Sequence, residues 1–154
     1  MSATWITIAI LVITIAMMAY PIAQLVPKPQ DKRRMKLRQE AMKLGYQIQM
    51  RTPKIDERMK PLYPNLIHCV GYYLPKDNPI FPQTCTAIKN PINGEWLWLH
   101  QRFPPNHQLE SITHQLKQLP QYVEAVELGI LGTVFFIKEN GEKINLMALK
   151  EPIF

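Results

Sequence analysis

From Thr4 to Val26 the chain carries no charged side chain. Nothing in that run sets the cost of a buried charge against insertion into hydrocarbon. No Lys or Arg precedes it, which argues against a cleaved secretory signal, whose first region is positive. Cysteine is scarce, with Cys69 and Cys85 alone and no C-x-x-C or H-x-x-x-H spacing to hold a metal. His68 and Cys69 are adjacent, so in an extended strand they point to opposite faces. His107 and His114 are seven residues apart, roughly 10 Å along a helix. Glycine is also sparse, and no G-x-G-x-x-G, P-loop or G-x-S-x-G pattern occurs, so no motif-borne nucleotide site or serine nucleophile is expected. Glu124 and Glu127, three apart in an expected strand, fall on opposite faces and form no working acid pair. The expectation is therefore no catalytic residue, no cofactor and no metal.

The uncharged run is long. Its 23 residues span roughly 34 Å as a helix, against about 30 Å of bilayer core. Ten are Ile, Leu or Val. Trp5 and Tyr20 lie toward its two ends, where amphipathic rings suit the headgroup zone. Thr7 and Thr14 can bond back to their own helix carbonyls, and Pro21 is expected to kink the last turns. Residues 1–27 read as a transmembrane anchor. Lys28, Lys32, Arg33, Arg34, Lys36 and Arg38 follow at once, and the positive-inside bias places the C-terminal part in the cytoplasm and the N-terminus outside. There both cysteines stay reduced. With the reverse orientation a Cys69–Cys85 disulfide becomes plausible.

The net charge of +6 is not spread evenly. Residues 28–60 hold eleven Lys/Arg against four Asp/Glu, whereas residues 61–154 hold seven against eight. Residues 28–45 read as a basic juxtamembrane helix after Pro27 and Pro29, capped by Asp31 and stopped by Gly45. Leu37, Ala41 and Leu44 share one face and Lys32, Lys36 and Lys43 another. The three lysines are candidates for contact with anionic lipid headgroups. Orientation of the span alone is the simpler account of the block, and contact with nucleic acid is the weakest, since no RNA-binding motif accompanies the charges.

Residues 46–154 read as one small cytoplasmic α+β domain. Alternation predicts strands at 46–51 and 95–102, and 67–74, 122–128 and 133–138 also read as strands. Residues 52–66 and 75–94, rich in proline, are expected to be loops, the second tacked to the core by Ile80 and Phe81. Asn106 is expected to cap a helix running to Leu119 that buries Leu109, Ile112, Leu116 and Leu119. Asn140-Gly141 is a hairpin signal, with 143–150 returning as a strand and a short helix as the alternative. The fold expected is a mixed or antiparallel sheet of five or six strands with two helices, behind one transmembrane helix. Trp96, Trp98 and His100 share a strand face. They read either as core or, with Tyr72 and Tyr73 on a neighbouring strand, as an aromatic platform for a partner.

The stretch Val26-Pro27-Lys28-Pro29-Gln30-Asp31-Lys32-Arg33-Arg34 resembles the segment after the span in the YajC-type accessory subunit of the bacterial preprotein translocase. That family has one N-terminal span, a basic Pro-Gln segment and a small cytoplasmic domain. The likeness covers about 45 residues. Beyond it the family has Gly-Asp and Gly-Gly in a strand-turn-strand where this chain has Gly45-Tyr46-Gln47-Ile48. Over its whole length, through Gly94-Glu95-Trp96-Leu97-Trp98, Phe103-Pro104-Pro105, and Leu119-Pro120 leading to Val126-Glu127-Leu128, the chain is similar to short bacterial single-pass inner-membrane proteins, some given the YajC label. That resemblance implies a membrane location and carries over no functional residue. The function expected is a membrane-tethered, non-enzymatic interaction module, an accessory subunit of a translocase-like inner-membrane complex. Its partners would be the lipid bilayer and another membrane protein. The alternative is a membrane-anchored enzyme or ligand-binding domain with its site in loops 52–66 and 75–94.

Overall fold

A computed structural model of the chain describes residues 3–76, 81–99, 104–139 and 144–150. The chain divides into two compact units, Met1–Met35 and Lys36–Phe154. The first holds helix α1 (Ala3–Leu25), long and apolar enough over Thr4–Pro21 to cross a membrane. The helix continues through Pro21. Thr14 donates its hydroxyl to the Ile10 carbonyl at 2.8 Å, so it brings no unmet donor into an apolar surround. Trp5 and Tyr20 are exposed.

Helix α2 (Pro29–Lys43) begins on a proline, tolerated there because a first-turn N–H has no helical partner to lose. Asp31 is not its cap but lies in its first turn, where a carboxylate favours the positive end of the helix. At the other end Gly45 takes φ 90°, the left-handed geometry a glycine reaches without a Cβ clash. Tyr46 N–H then donates to the Ala41 carbonyl at 3.0 Å and Gly45 N–H to Met42 at 3.1 Å, closing a Schellman stop. Ala41 is buried, with Leu37 and Leu44 packed beside it on the core. The expected apolar face of this helix is thus part of the globular unit, which starts at Lys36.

The domain is α+β. Strands β1 (Gln47–Gln49), β2 (Cys69–Pro75), β3 (Cys85–Lys89), β4 (Trp96–Trp98), β5 (Val123–Leu128) and β6 (Gly132–Lys138) form one sheet in the order β1-β2-β6-β5-β3-β4. Every pairing is antiparallel. One face packs Tyr72, Val126 and Phe135 against Ile112 and Leu116 of helix α3 (Asn106–Lys117). The other packs Ile88, Ala125 and Phe136 against Tyr63 and Leu66, which come from two 3-10 turns, Lys60–Leu62 and Pro64–His68, and the residue between them. Both faces of the sheet are therefore covered, one by helices and one by an irregular segment.

Several expectations are corrected. Helix α3 is capped by Pro105, not Asn106; the Pro105 carbonyl accepts from Gln108 at 2.8 Å and Leu109 at 3.1 Å. Ile112, Leu116 and Leu119 are buried as expected, but Leu109, in the first turn, is only half-buried. The stretch 75–94 contains β3, whose small residues Cys85, Thr86 and Ala87 gave little apolar alternation to detect. Ile67 and His68 belong to a 3-10 turn rather than to β2. Residues 144–150 form no strand. A 3-10 turn, Met147–Leu149, instead brings Leu146 and Leu149 together into the core, and their i, i+3 spacing suits that helix. Phe81 is buried in the core. Ile80, the strand residues beyond Leu99 and the Asn140-Gly141 hairpin signal lie outside the described residues.

Cys69 and Cys85 are buried thiols on opposite faces of the sheet. Strands β6 and β5 lie between theirs, and the register sets Cys69 opposite Lys138 but Cys85, through Leu128, opposite Thr133, so the two are roughly 20 Å apart at ~4.8 Å per strand spacing and ~3.3 Å per residue. A disulfide needs Cα atoms within about 7 Å. No bridge forms in this fold whichever way the chain faces.

Candidate functional site

The irregular segment covers only part of the second sheet face. Its turn Pro64–His68 packs over β5 and β6, and toward the β5–β6 turn the sheet is left open. There the structure has a cleft of about 770 Å³, within the usual range for small-molecule sites. Val134 and Leu99 form its apolar floor, with Thr86 and Glu127 between them; all four are buried. Leu131, exposed at the β5–β6 turn, forms a rim. Gly132 begins the floor strand, and it must be glycine: a Cβ there would sit 2.4 Å from the Leu74 carbonyl oxygen.

The charges in the cleft are arranged around Glu127. Its side chain is 5% exposed, and a carboxylate so placed needs a cation and hydrogen bonds. Arg51 supplies both, donating Nη1 to Oε1 at 3.1 Å and Nη2 to Oε2 at 2.5 Å. The Lys54 backbone N–H donates to Oε1 at 3.1 Å. Arg51 in turn donates Nε to Gln49 Oε1 at 2.8 Å and lies 5.2 Å above the centre of the Phe136 ring, a cation–π distance. The pair pins the start of the irregular segment to the sheet. It also presents a guanidinium of fixed orientation to the cleft.

A second Arg–Glu pair lies on the helix-covered face. Arg38 of α2 donates to Glu139 through Nε at 2.9 Å and Nη2 at 2.6 Å, and the Tyr72 hydroxyl donates to the same carboxylate at 2.6 Å. Glu139's bonding holds Arg38 more firmly charged than usual. Burial, followed by the hydrogen bond to Glu139, drives the Tyr72 pKa well above that of a free phenol. The cluster ties α2 to the end of β6, and we read it as a clamp between α2 and the sheet.

The residues singled out from sequence fall as follows. Lys32, Lys36 and Lys43 are exposed on α2. Trp96 and Trp98 are half-buried and packed on the helix-covered core. The aromatic platform does not assemble: Tyr72 is 0% exposed, and β2 is separated from β4 by β6, β5 and β3. Tyr73 faces the other way and lines the cleft, its hydroxyl donating to the Leu131 carbonyl at 2.9 Å. His68, His107 and His114 are all exposed, and among the described residues no cluster of three His, Cys, Asp or Glu could hold a metal ion. Arg51 and Glu127 were missed as a pair because 76 residues separate them. The available signal was Glu127 itself, an acid set between Val126 and Leu128 in a strand, which demands a cation when buried. The chain matches no protein-family profile, no curated protein and no solved structure.

Proposed function

We propose that this chain is a membrane-tethered, non-enzymatic binding module, anchored by α1 in a bacterial inner membrane with its N-terminus outside and its domain in the cytoplasm. The observation that carries the reading is the joining of a span-length apolar helix to a six-stranded domain. A tether of this kind raises the domain's effective concentration for any partner in the same membrane. The orientation rests on the basic residues that follow the span. A non-catalytic role is supported by the way Arg51 and Glu127 are spent on each other, an arrangement that fixes structure rather than leaving a base or nucleophile poised. The likeness of the N-terminal third to a translocase accessory subunit suggests an inner-membrane complex as the partner.

Fusions test the orientation: a C-terminal fluorescent protein should be bright and a C-terminal alkaline phosphatase inactive in a bacterial host, and the opposite pattern would overturn it. Crosslinking in cells followed by purification in detergent tests the role. A stoichiometric membrane partner is expected, and repeated recovery of the protein alone would count against the module.

The second reading, a ligand-binding or catalytic domain, is favoured by one observation. Both proline-rich stretches contribute to the cleft, Lys54 from 52–66 and Thr84 from 75–94.

A further inference from the structure

We propose that the turn between β3 and β4 is a second contact with the bilayer, with Ile92 at its tip seated among the lipid acyl chains. The inference rests on the membrane-tether reading and adds to it the surface by which the domain meets the membrane. Ile92 is 93% exposed, more than any other large apolar side chain among the described residues, those of α1 included. Pro91 beside it is exposed as well. The turn that carries them is closed upon itself. Asn90 N–H donates to the Glu95 carbonyl at 2.7 Å and Gly94 N–H to the Asn90 carbonyl at 2.9 Å. Ile92 N–H donates to the Asn90 side chain at 2.9 Å, and Glu95 N–H to the Asn93 side chain at 3.0 Å. Pro91 has no N–H to satisfy. A turn must settle its own polar groups before it can enter an apolar surround, and an aliphatic tip held on such a turn loses little freedom on docking.

The place of the turn favours lipid over a protein surface. Ile88 lies opposite Ala125, and Ala125 opposite Phe136, so β3 runs out toward the Lys138 end of β6. Glu139 follows there and holds Arg38, two residues after the chain enters the globular unit at Lys36. The domain's connection to the apolar span therefore leaves from the same end as Ile92. Ile130 and Leu131 are exposed too, but they follow Leu128, opposite Thr133, at the other end of β6. Its seven residues put about 20 Å between the two ends, at ~3.3 Å per residue. A tether keeps its own end of the domain beside the bilayer, so lipid is the apolar surface within constant reach of Ile92 and not of Leu131. Only the tip can enter, because Glu95 is exposed three residues on and a carboxylate is costly below the headgroups.

The full-length protein is reconstituted into nanodiscs of phosphatidylethanolamine and phosphatidylglycerol, with a nitrobenzoxadiazole reporter on Ile92→Cys or, separately, on Leu131→Cys. The native thiols, Cys69 and Cys85, are buried and do not compete for the label. At position 92 the reporter is expected to be quenched by lipids carrying a nitroxide on the acyl chain and protected from aqueous iodide. At position 131 the pattern should be the reverse. Burying an isoleucine side chain shifts an equilibrium roughly tenfold or more. With the reporter moved to Pro91→Cys, Ile92→Asn should therefore lower the ratio of docked to undocked turn by that factor, and Ile92→Leu should preserve it. Circular dichroism should be unchanged in both, as for other exposed sites. The inference is overturned if positions 92 and 131 report alike, or if Ile92→Asn leaves the Pro91 reporter docked. Protection of position 92 from iodide without nitroxide quenching would mark a protein surface and overturn it too. A reporter on Val12→Cys, within α1, separates this inference from the reading beneath it. Val12 quenched beside an unquenched position 92 removes the second contact and leaves the tether standing, whereas both unquenched removes both.

Discussion

The two faces of the sheet solve the same problem differently. On one, α3 lays a regular stripe across the strands, and Ile112 and Leu116 are 2% and 1% exposed. On the other, short 3-10 turns between prolines do the covering and leave the cleft open. Each face also carries one Arg–Glu pair with a carboxylate only 4% or 5% exposed. On the helical face the pair is completed by a fully buried phenol, and on the irregular face by a backbone N–H and the buried Phe136 ring. The regular stripe of α3 seals its part of the sheet with apolar contacts. An aperiodic cover needs directional bonds to hold it down, and it leaves part of the sheet open as a cleft.

The comparison breaks first under a charge placed in each cover. Leu116→Asp on the helical face should cost about 4 kcal/mol or more and abolish a cooperative melt of the full-length protein. Leu131→Asp, at the open edge of the other face, should stay within about 0.5 kcal/mol. Equal losses would mean the two covers do not differ as described. Next come the ion pairs. Glu139→Ala strands Arg38 and the Tyr72 hydroxyl and should cost about 3–5 kcal/mol. Glu127→Ala leaves Arg51 36% exposed to water and should cost about 1–3 kcal/mol, measured by denaturant unfolding.

Alkaline pH tests the buried thiol and phenols. Burial pushes the Cys69 thiol up to about 12 from 9.0 and the Tyr46 phenol up to about 12 from 10.0, and Tyr72 is raised as well. A folded-state pKa above the unfolded value means the folded state holds the proton more tightly. The resulting stability is complete below the unfolded pKa and is lost as pH rises toward the folded one. Loss should therefore begin near pH 9, through Cys69, and deepen from near pH 10, through Tyr46 and Tyr72. Cys69→Ala should delete the earlier part of the decline in melting temperature. The smallest effect on the fold belongs to Lys32, Lys36 and Lys43, which touch neither face. Their triple Gln substitution should leave the melt unchanged. If they meet headgroups, it should weaken binding of a 28–45 peptide to anionic vesicles roughly a hundredfold.

Legibility in the sequence followed the same division. Helix α3 and Leu37-Ala41-Leu44 on α2 could be read because their apolar residues recur at the period of the helix, and strands β5 and β6 because each is a short β-branched and aromatic run bounded by glycine or proline. Strand β3 and the turn at 147–149 could not, because short elements with small or evenly apolar residues carry too little period to count. The cleft was out of reach for a different reason. Its key contact joins Arg51, which alternation placed on a polar strand face, to Glu127, judged only against its neighbour Glu124. Strand β5 has a register irregularity between Val123 and Ala125, and counting by twos across such a step misassigns faces.

The strand order sets a timetable for synthesis. Strand β6 pairs with β2 on one side and β5 on the other, yet it begins about 60 residues after β2 begins. At about 5–20 residues per second, several seconds separate the emergence of the two. The β3–β4 pair can close as soon as it is made, but β2 meets its main partner only after that delay. Until then Val70 and Tyr72 have no covering and β2 has a bare edge, while α1 has long since left the ribosome. The nascent domain thus spends its most aggregation-prone interval waiting for one late strand, and a slow codon placed before β6 would lengthen that wait more than one placed after it.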